Sequence, residues 1–173
     1  MLRTWLRTGD TLMAQTRWTL SLALTVLTVA GLASPAAAQQ EVPFRGAYTL
    51  DFTVTETDIL GVFRIEYAGT GHASHLGRSI TAAESLLDTR VVPFTTTGTE
   101  TFTAANGDEV FTSFDGTSSP PDPNGIAYFA GSFVITGGTG RFLGATGGGE
   151  AEGTVNVVTV TSEQTFSGTI SRR

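Results

Sequence analysis

The sequence predicts an all-β protein, an eight-stranded antiparallel barrel, with a two-sheet sandwich as the alternative. Three observations carry this expectation. Apolar and polar residues alternate along most of the chain from Phe44 onward, the period of a half-buried strand. Turn signals recur roughly every 8 to 15 residues, with almost no helical periodicity between them. The chain also holds 21 glycines, which relieve crowding where strands bend sharply or backbones approach closely. The stretch that organises the rest is Gly131–Thr154, GSFVITGGTGRFLGATGGGEAEGT: a strand, a glycine-rich reversal, and a second strand that begins among further glycines.

Taken in order, Tyr48, Leu50, Phe52 and Val54 share one face of a first strand, with Thr49, Asp51 and Thr53 on the other. After the polar break 55–58, Phe63, Ile65 and Tyr67 mark a second strand with Arg64 and Glu66 opposite. Gly69-Thr70-Gly71 is then expected to turn the chain into a third segment, 72–80. Residues 81–88 (TAAESLLD) fit either a continuing strand or a single helical turn. The threonine-rich run 94–104 has strong β propensity and meets Asn106-Gly107, a type I′ hairpin signal, with 109–114 as the return strand. Residues 117–125 (TSSPPDPNG) contain three prolines and predict an exposed loop. Residues 127–136 then place Phe129, Phe133 and Ile135 inward, with Gly131 admitting another backbone. Two more strands follow, at 151–160 and 164–171, the last with Phe166 and Ile170 alternating. A faint echo relates Gly69-Thr70-Gly71 with Gly77 to Gly138-Thr139-Gly140 with Gly144. It suggests two corners of one backbone shape, not a repeat.

Residues 1–38 read as a secretory signal peptide. Arg3, Arg7 and Arg17 precede the uncharged apolar run 18–32, and Ser34-Pro35-Ala36-Ala37-Ala38 supplies a small-residue cleavage site. A run of about 15 residues is short of the roughly 20 needed to span a bilayer. Translation starts at Met1 or at Met13. Cleavage after Ala38 leaves one domain, 39–173, exported to the periplasm or the extracellular space, with no integral membrane segment. Its seven arginines face fifteen acids, a net charge of −8, and the chain has no lysine. That balance argues against nucleic acid as a partner, because phosphate neutralisation needs a basic face. The absence of cysteine excludes disulfides, thiolate chemistry and a lipobox.

No motif demands a cofactor. Gly138, Gly140 and Gly144 lack the G-x-G-x-x-G spacing, and no lysine completes a phosphate loop. His72 and His75, the only histidines, fall on opposite faces of a strand, so no metal site is expected from them. Ser74 and Ser132 lack a nucleophile-elbow context. Glu150 and Glu152, or Asp108 and Glu109, read as wet-face acids rather than a glycosidase pair or a calcium loop. Arg64 and Glu66 are weak catalytic candidates, since they enter the interior only if the Phe63–Ile65–Tyr67 face packs outward. Tyr67, Phe133 and Arg141 are candidate residues of a cavity or its rim.

At residues 133–155, FVITGGTGRFLGATGGGEAEGTV, the sequence resembles the allene oxide cyclase and dirigent barrel superfamily. The matching positions are Gly137, Gly138, Thr139, Gly140, Phe142, Gly144, Ala145 and Gly147. His75-Leu76-Gly77 is similar to an element of bacterial secreted proteins of this type. The resemblance implies an eight-stranded antiparallel barrel with an apolar cavity, and dimers or trimers. The plant enzymes use that cavity to cyclise an unstable fatty-acid epoxide or to orient phenoxy radicals, with a few acidic and polar residues projecting into it. The shared motif is a structural corner and does not locate those residues here. The functional expectation is therefore a secreted barrel that binds a small apolar ligand or a partner protein. The alternatives are a cyclase- or dirigent-like isomerase steering a reactive lipid or phenol, and a structural oligomer of the envelope.

Overall fold

A computed structural model describes residues 40–171, so the leader expected at 1–38 lies outside the described residues. The eight strands are β1 (Glu41–Glu56), β2 (Val62–Ala73), β3 (Gly77–Asp88), β4 (Phe94–Ala104), β5 (Glu109–Ser118), β6 (Ile126–Gly138), β7 (Thr146–Asn156) and β8 (Thr161–Ser171). Each pairs antiparallel with its sequence neighbour, and β8 returns to β1, so the sheet is a closed up-and-down barrel and not a sandwich. β1 pairs with β8 along 41–51 and with β2 along 46–56, the stagger that tilts the strands of a barrel. Closure removes every sheet edge, which a chain without disulfides would otherwise have to protect.

Side-chain alternation sorts inside from outside. Phe44, Tyr48, Leu50 and Phe52 of β1, Ile65 of β2, Phe102 of β4, Phe133 and Ile135 of β6, and Phe166 and Ile170 of β8 are buried. The intervening residues, among them Thr49, Asp51, Glu66 and Glu84, face outward and are exposed. One end of the barrel is plugged. The β6–β7 connection folds as a single 3-10 turn, Gly140–Phe142, that drives Phe142 into the barrel with no exposed surface. Leu76, from the β2–β3 turn, and Val110 and Ala145 pack into the same core. Thr139 fastens the corner to β5: its N–H donates to Glu109 O (2.9 Å), and its hydroxyl accepts from Glu109 N–H (2.9 Å). Gly140 has φ +55, a conformation that favours glycine, and a Cβ there would also force the Asp108 carboxylate to move from its place beside the corner.

Several local expectations change. Gly69-Thr70-Gly71 is not a turn, and β2 runs through it to Ala73. Its glycines are there for space, because a Cβ on Gly71 would meet the Tyr48 ring at 2.5 Å. The echo with Gly138–Gly140 therefore does not mark two like corners. The actual reversal is at 74–76, where His75 takes φ +67. Residues 81–88 are strand, since their alternation pairs them with both β2 and β4. The hairpin at Asn106-Gly107 is not type I′. Only Gly107 has positive φ, and Gly107 N–H donates to Ala104 O (2.9 Å), so a type I turn ends in a glycine bulge. β7 begins at Thr146 and stops at Asn156, and residues 157–160 form the turn into β8.

Phe142→Ala is expected to remove about 3–5 kcal/mol of stability in urea unfolding followed by far-UV circular dichroism. Its exposed neighbour provides the contrast: Leu143→Ala should change stability by no more than about 0.5 kcal/mol.

Candidate functional site

The unplugged half of the barrel is open. Above the layer formed by Phe102, Phe133 and Phe166 lies a cavity of about 340 Å³. Phe52 and Val54, Phe63 and Ile65, Leu87, Phe94, Phe114, Phe129 and Val155 line its walls, so seven strands supply these apolar side chains, and β8 adds Phe166 of the floor. The β1–β2, β3–β4, β5–β6 and β7–β8 connections surround the mouth, as the up-and-down topology requires. Those loops carry exposed aliphatic residues: Ile59 and Leu60, Val91 and Val92, and Val157 and Val158. Leu60 is 94% exposed.

Besides hydroxyls nearer the mouth, among them Thr96 and Ser118, a hydrogen-bonded polar cluster sits at the deep end. Glu100 of β4 and Gln164 of β8 both line the cavity. Glu100 Oε1 accepts from Thr81 Oγ1 (2.8 Å), and Oε2 accepts from Gln164 Nε2 (3.1 Å). Beside this group the hydroxyls of Tyr48 and Ser79 share a hydrogen bond of 2.5 Å. Burial pushes the Glu100 carboxyl up to about 7, against the opposing pull of the Gln164 and Thr81 donors. Tyr48 is pushed up to about 12 by burial, held back by Ser79 and raised further by the Glu100 charge. Tyr67 is raised mainly by burial; the Ser85 hydroxyl lies near enough to offset part of this but outside hydrogen-bonding geometry, and the Glu100 charge adds to the rise. The arrangement is an apolar chamber with one acid at its base, close to half-ionised at neutral pH.

The residues expected from sequence divide. Tyr67 lines the cavity and Phe133 forms part of its floor. Arg141 is at the opposite, plugged end, where its guanidinium lies 5.0 Å from the Phe142 ring and its Nε lies 3.5 Å from Asp108 Oδ2. Arg64 and Glu66 are excluded from the interior because Phe63, Ile65 and Tyr67 take the inward positions. Arg64 instead pairs with Glu84 on the outer wall, and Glu66 edges a shallow dent there with Asp51 and Glu84. Glu150 and Glu152 are also exposed. His72 is exposed, and His75 Nε2 lies 3.0 Å from Pro43 O in the β2–β3 turn. Among the described residues no three His, Cys, Asp or Glu side chains form a metal-binding group, and no helix is long and apolar enough to cross a membrane.

Sequence reading did not single out Glu100, Thr81 or Gln164. The signal was parity. Glu100 lies two residues from Phe102 and six from Phe94, on one strand face, and Gln164 lies two from Phe166. Compared with known proteins, the chain matches no family model, no curated protein and no solved structure.

Because Glu100 holds its proton more tightly when folded, the folded state binds more protons than the unfolded state between the ordinary value of 4.5 and about 7. Stability should therefore fall as pH rises through that window, by on the order of 3 kcal/mol, and then level off. Asp88, held down to about 2 by Arg90, titrates below this range. Urea unfolding at several pH values should reveal the slope, and Glu100→Gln should flatten it.

Proposed function

We propose that this protein is an exported β-barrel that binds a small apolar ligand inside the barrel. The observation that carries the reading is the cavity of about 340 Å³, apolar-walled and bounded at its mouth by loops. That volume lies at the lower end of the range for small-molecule sites (roughly 300–1,000 Å³), and such sites typically combine apolar walls with a few fixed polar groups. Glu100 and Gln164 are those groups, with Thr81 holding the Glu100 carboxylate from outside the lining. The mouth loops expose aliphatic residues, and one of them, Val157, also lines the chamber, which suits entry of an apolar ligand. Export rests on the charged leader, apolar run and small-residue site at 1–38.

A second reading, an isomerase of the allene oxide cyclase or dirigent type, is favoured by one observation: a buried acid at the base of the chamber. In that reading Glu100 takes the role expected of Glu66, and catalysis comes mainly from holding a reactive lipid or phenol in one conformer. The corner at Gly137–Gly147 supports membership of that superfamily. Incubation with an unstable fatty-acid epoxide separates the readings: enantiomeric enrichment of the cyclised product supports the enzyme, and a racemic product removes it.

For the binding reading, the uncharged dye N-phenyl-1-naphthylamine should show saturable fluorescence enhancement with the protein. Ala83→Phe places a ring inside the cavity wall and should abolish that enhancement while unfolding remains cooperative. Enhancement that survives the substitution would move the binding site elsewhere.

A further inference from the structure

Resting on the reading of the cavity as a ligand site, we infer that its ligand is an apolar amine, bound with its ammonium group against Glu100 and its hydrocarbon part toward the mouth. Two features of the chamber point there.

The first is an acid without a counter-charge. Thr81 and Gln164, which bond the Glu100 carboxylate, offer it hydrogen atoms but no positive charge. The arginines that the structure describes lie elsewhere: Arg64 and Arg90 pair with Glu84 and Asp88 at exposed positions, Arg141 is at the plugged end, and Arg45 and Arg78 sit near that end on the outer face. The chain has no lysine at all. A buried carboxylate that accepts hydrogen bonds but meets no cation is incomplete as an ion pair. A ligand entering the chamber can supply the missing charge.

The second is the surface around that acid. Phe102, Phe114, Phe133 and Phe166 line the same cavity as Glu100. Aromatic faces attract cations through the ring quadrupole, and acid plus aromatic walls is the chemistry that recognises ammonium groups. An alcohol would use only the hydrogen-bonding capacity of this floor. A carboxylate would face the Glu100 charge directly.

Ionisation of Glu100 sets the pH dependence. The groups that bond its carboxylate are Thr81 from β3 and Gln164 from β8, Thr112 from β5 donates to its backbone carbonyl, and the titratable neighbours are Tyr48 of β1 and Tyr67 of β2. Both tyrosines have raised pKa values and stay neutral below pH 9, so among these groups only Glu100 changes charge between pH 5.5 and pH 8. An alkylamine remains protonated across that interval. Amine binding should therefore weaken as pH falls, in proportion to the ionised fraction of Glu100.

The test is calorimetric titration of the full protein with octylamine, octan-1-ol and octanoate at pH 8 and pH 5.5. The expected result is octylamine binding at least about tenfold more tightly than octan-1-ol at pH 8. That ratio should shrink at pH 5.5, and in Glu100→Gln at either pH it should fall to within about threefold. Equal binding of all three ligands, tighter binding of octanoate, or a preference for the amine that persists in Glu100→Gln overturns the inference and leaves the cavity reading standing. If no octyl compound binds and N-phenyl-1-naphthylamine gives no saturable signal, the cavity reading itself fails. Cooperative unfolding of Glu100→Gln shows that its result reports on the site and not on folding.

Discussion

The structure depends on an aromatic layer that divides the barrel across its axis. Phe44 and Phe166 have ring centroids 4.9 Å apart, and Phe102 lies 5.2 Å from Tyr48 and 5.3 Å from Phe166. Phe133 closes the group at 5.6 Å from Phe166, edge to face. Rings from β1, β4, β6 and β8 thus bridge opposite walls, which strand pairing alone cannot do. Below this layer the Phe142 corner, Leu76 and Ile170 complete a solid core. Above it the walls have no plug of their own, and the cavity follows.

This division lets one half of the molecule supply stability while the other remains hollow. The glycines of the lower half serve the packing, as at Gly71, where the Tyr48 ring takes the space that a side chain would occupy. The Thr139 bonds to Glu109 then hold the plug against β5. The mouth loops have no comparable core, and the aliphatic side chains they expose gain little by folding alone.

Glu100 stands against the hydrophobic logic of its surroundings. Burying a carboxylate is costly, and the donors from Thr81 and Gln164 offset only part of that cost, which is why its pKa rises instead of falling. A leucine at this position would suit an inert core better. A polar group kept at the deep end of an apolar chamber is the pattern of a binding site.

Strand count, the alternation along each strand and the structural weight of the Gly137–Gly147 corner were legible because alternation and turn chemistry are local. They do not decide which face of the second strand turns inward. Phe129, Phe133 and Ile135 point inward as their spacing requires. Local pattern misled where a glycine's purpose was not local: Gly69 and Gly71 look like a turn but make room for residues on the neighbouring strand. The same limit hid the site. Thr81 and Gln164 lie 19 and 64 residues from Glu100 along the chain, and parity assigns each to a face without saying what meets it. The sequence by itself determined an all-β chain whose strands each carry one apolar, aromatic-rich face, because the period of a strand is written residue by residue. Only the tertiary structure decided that the sheet closes, that one end is filled and the other hollow, and that a lone acid lies at the base of the hollow. Those outcomes depend on register and on which side chains meet across the barrel, and no local pattern encodes either.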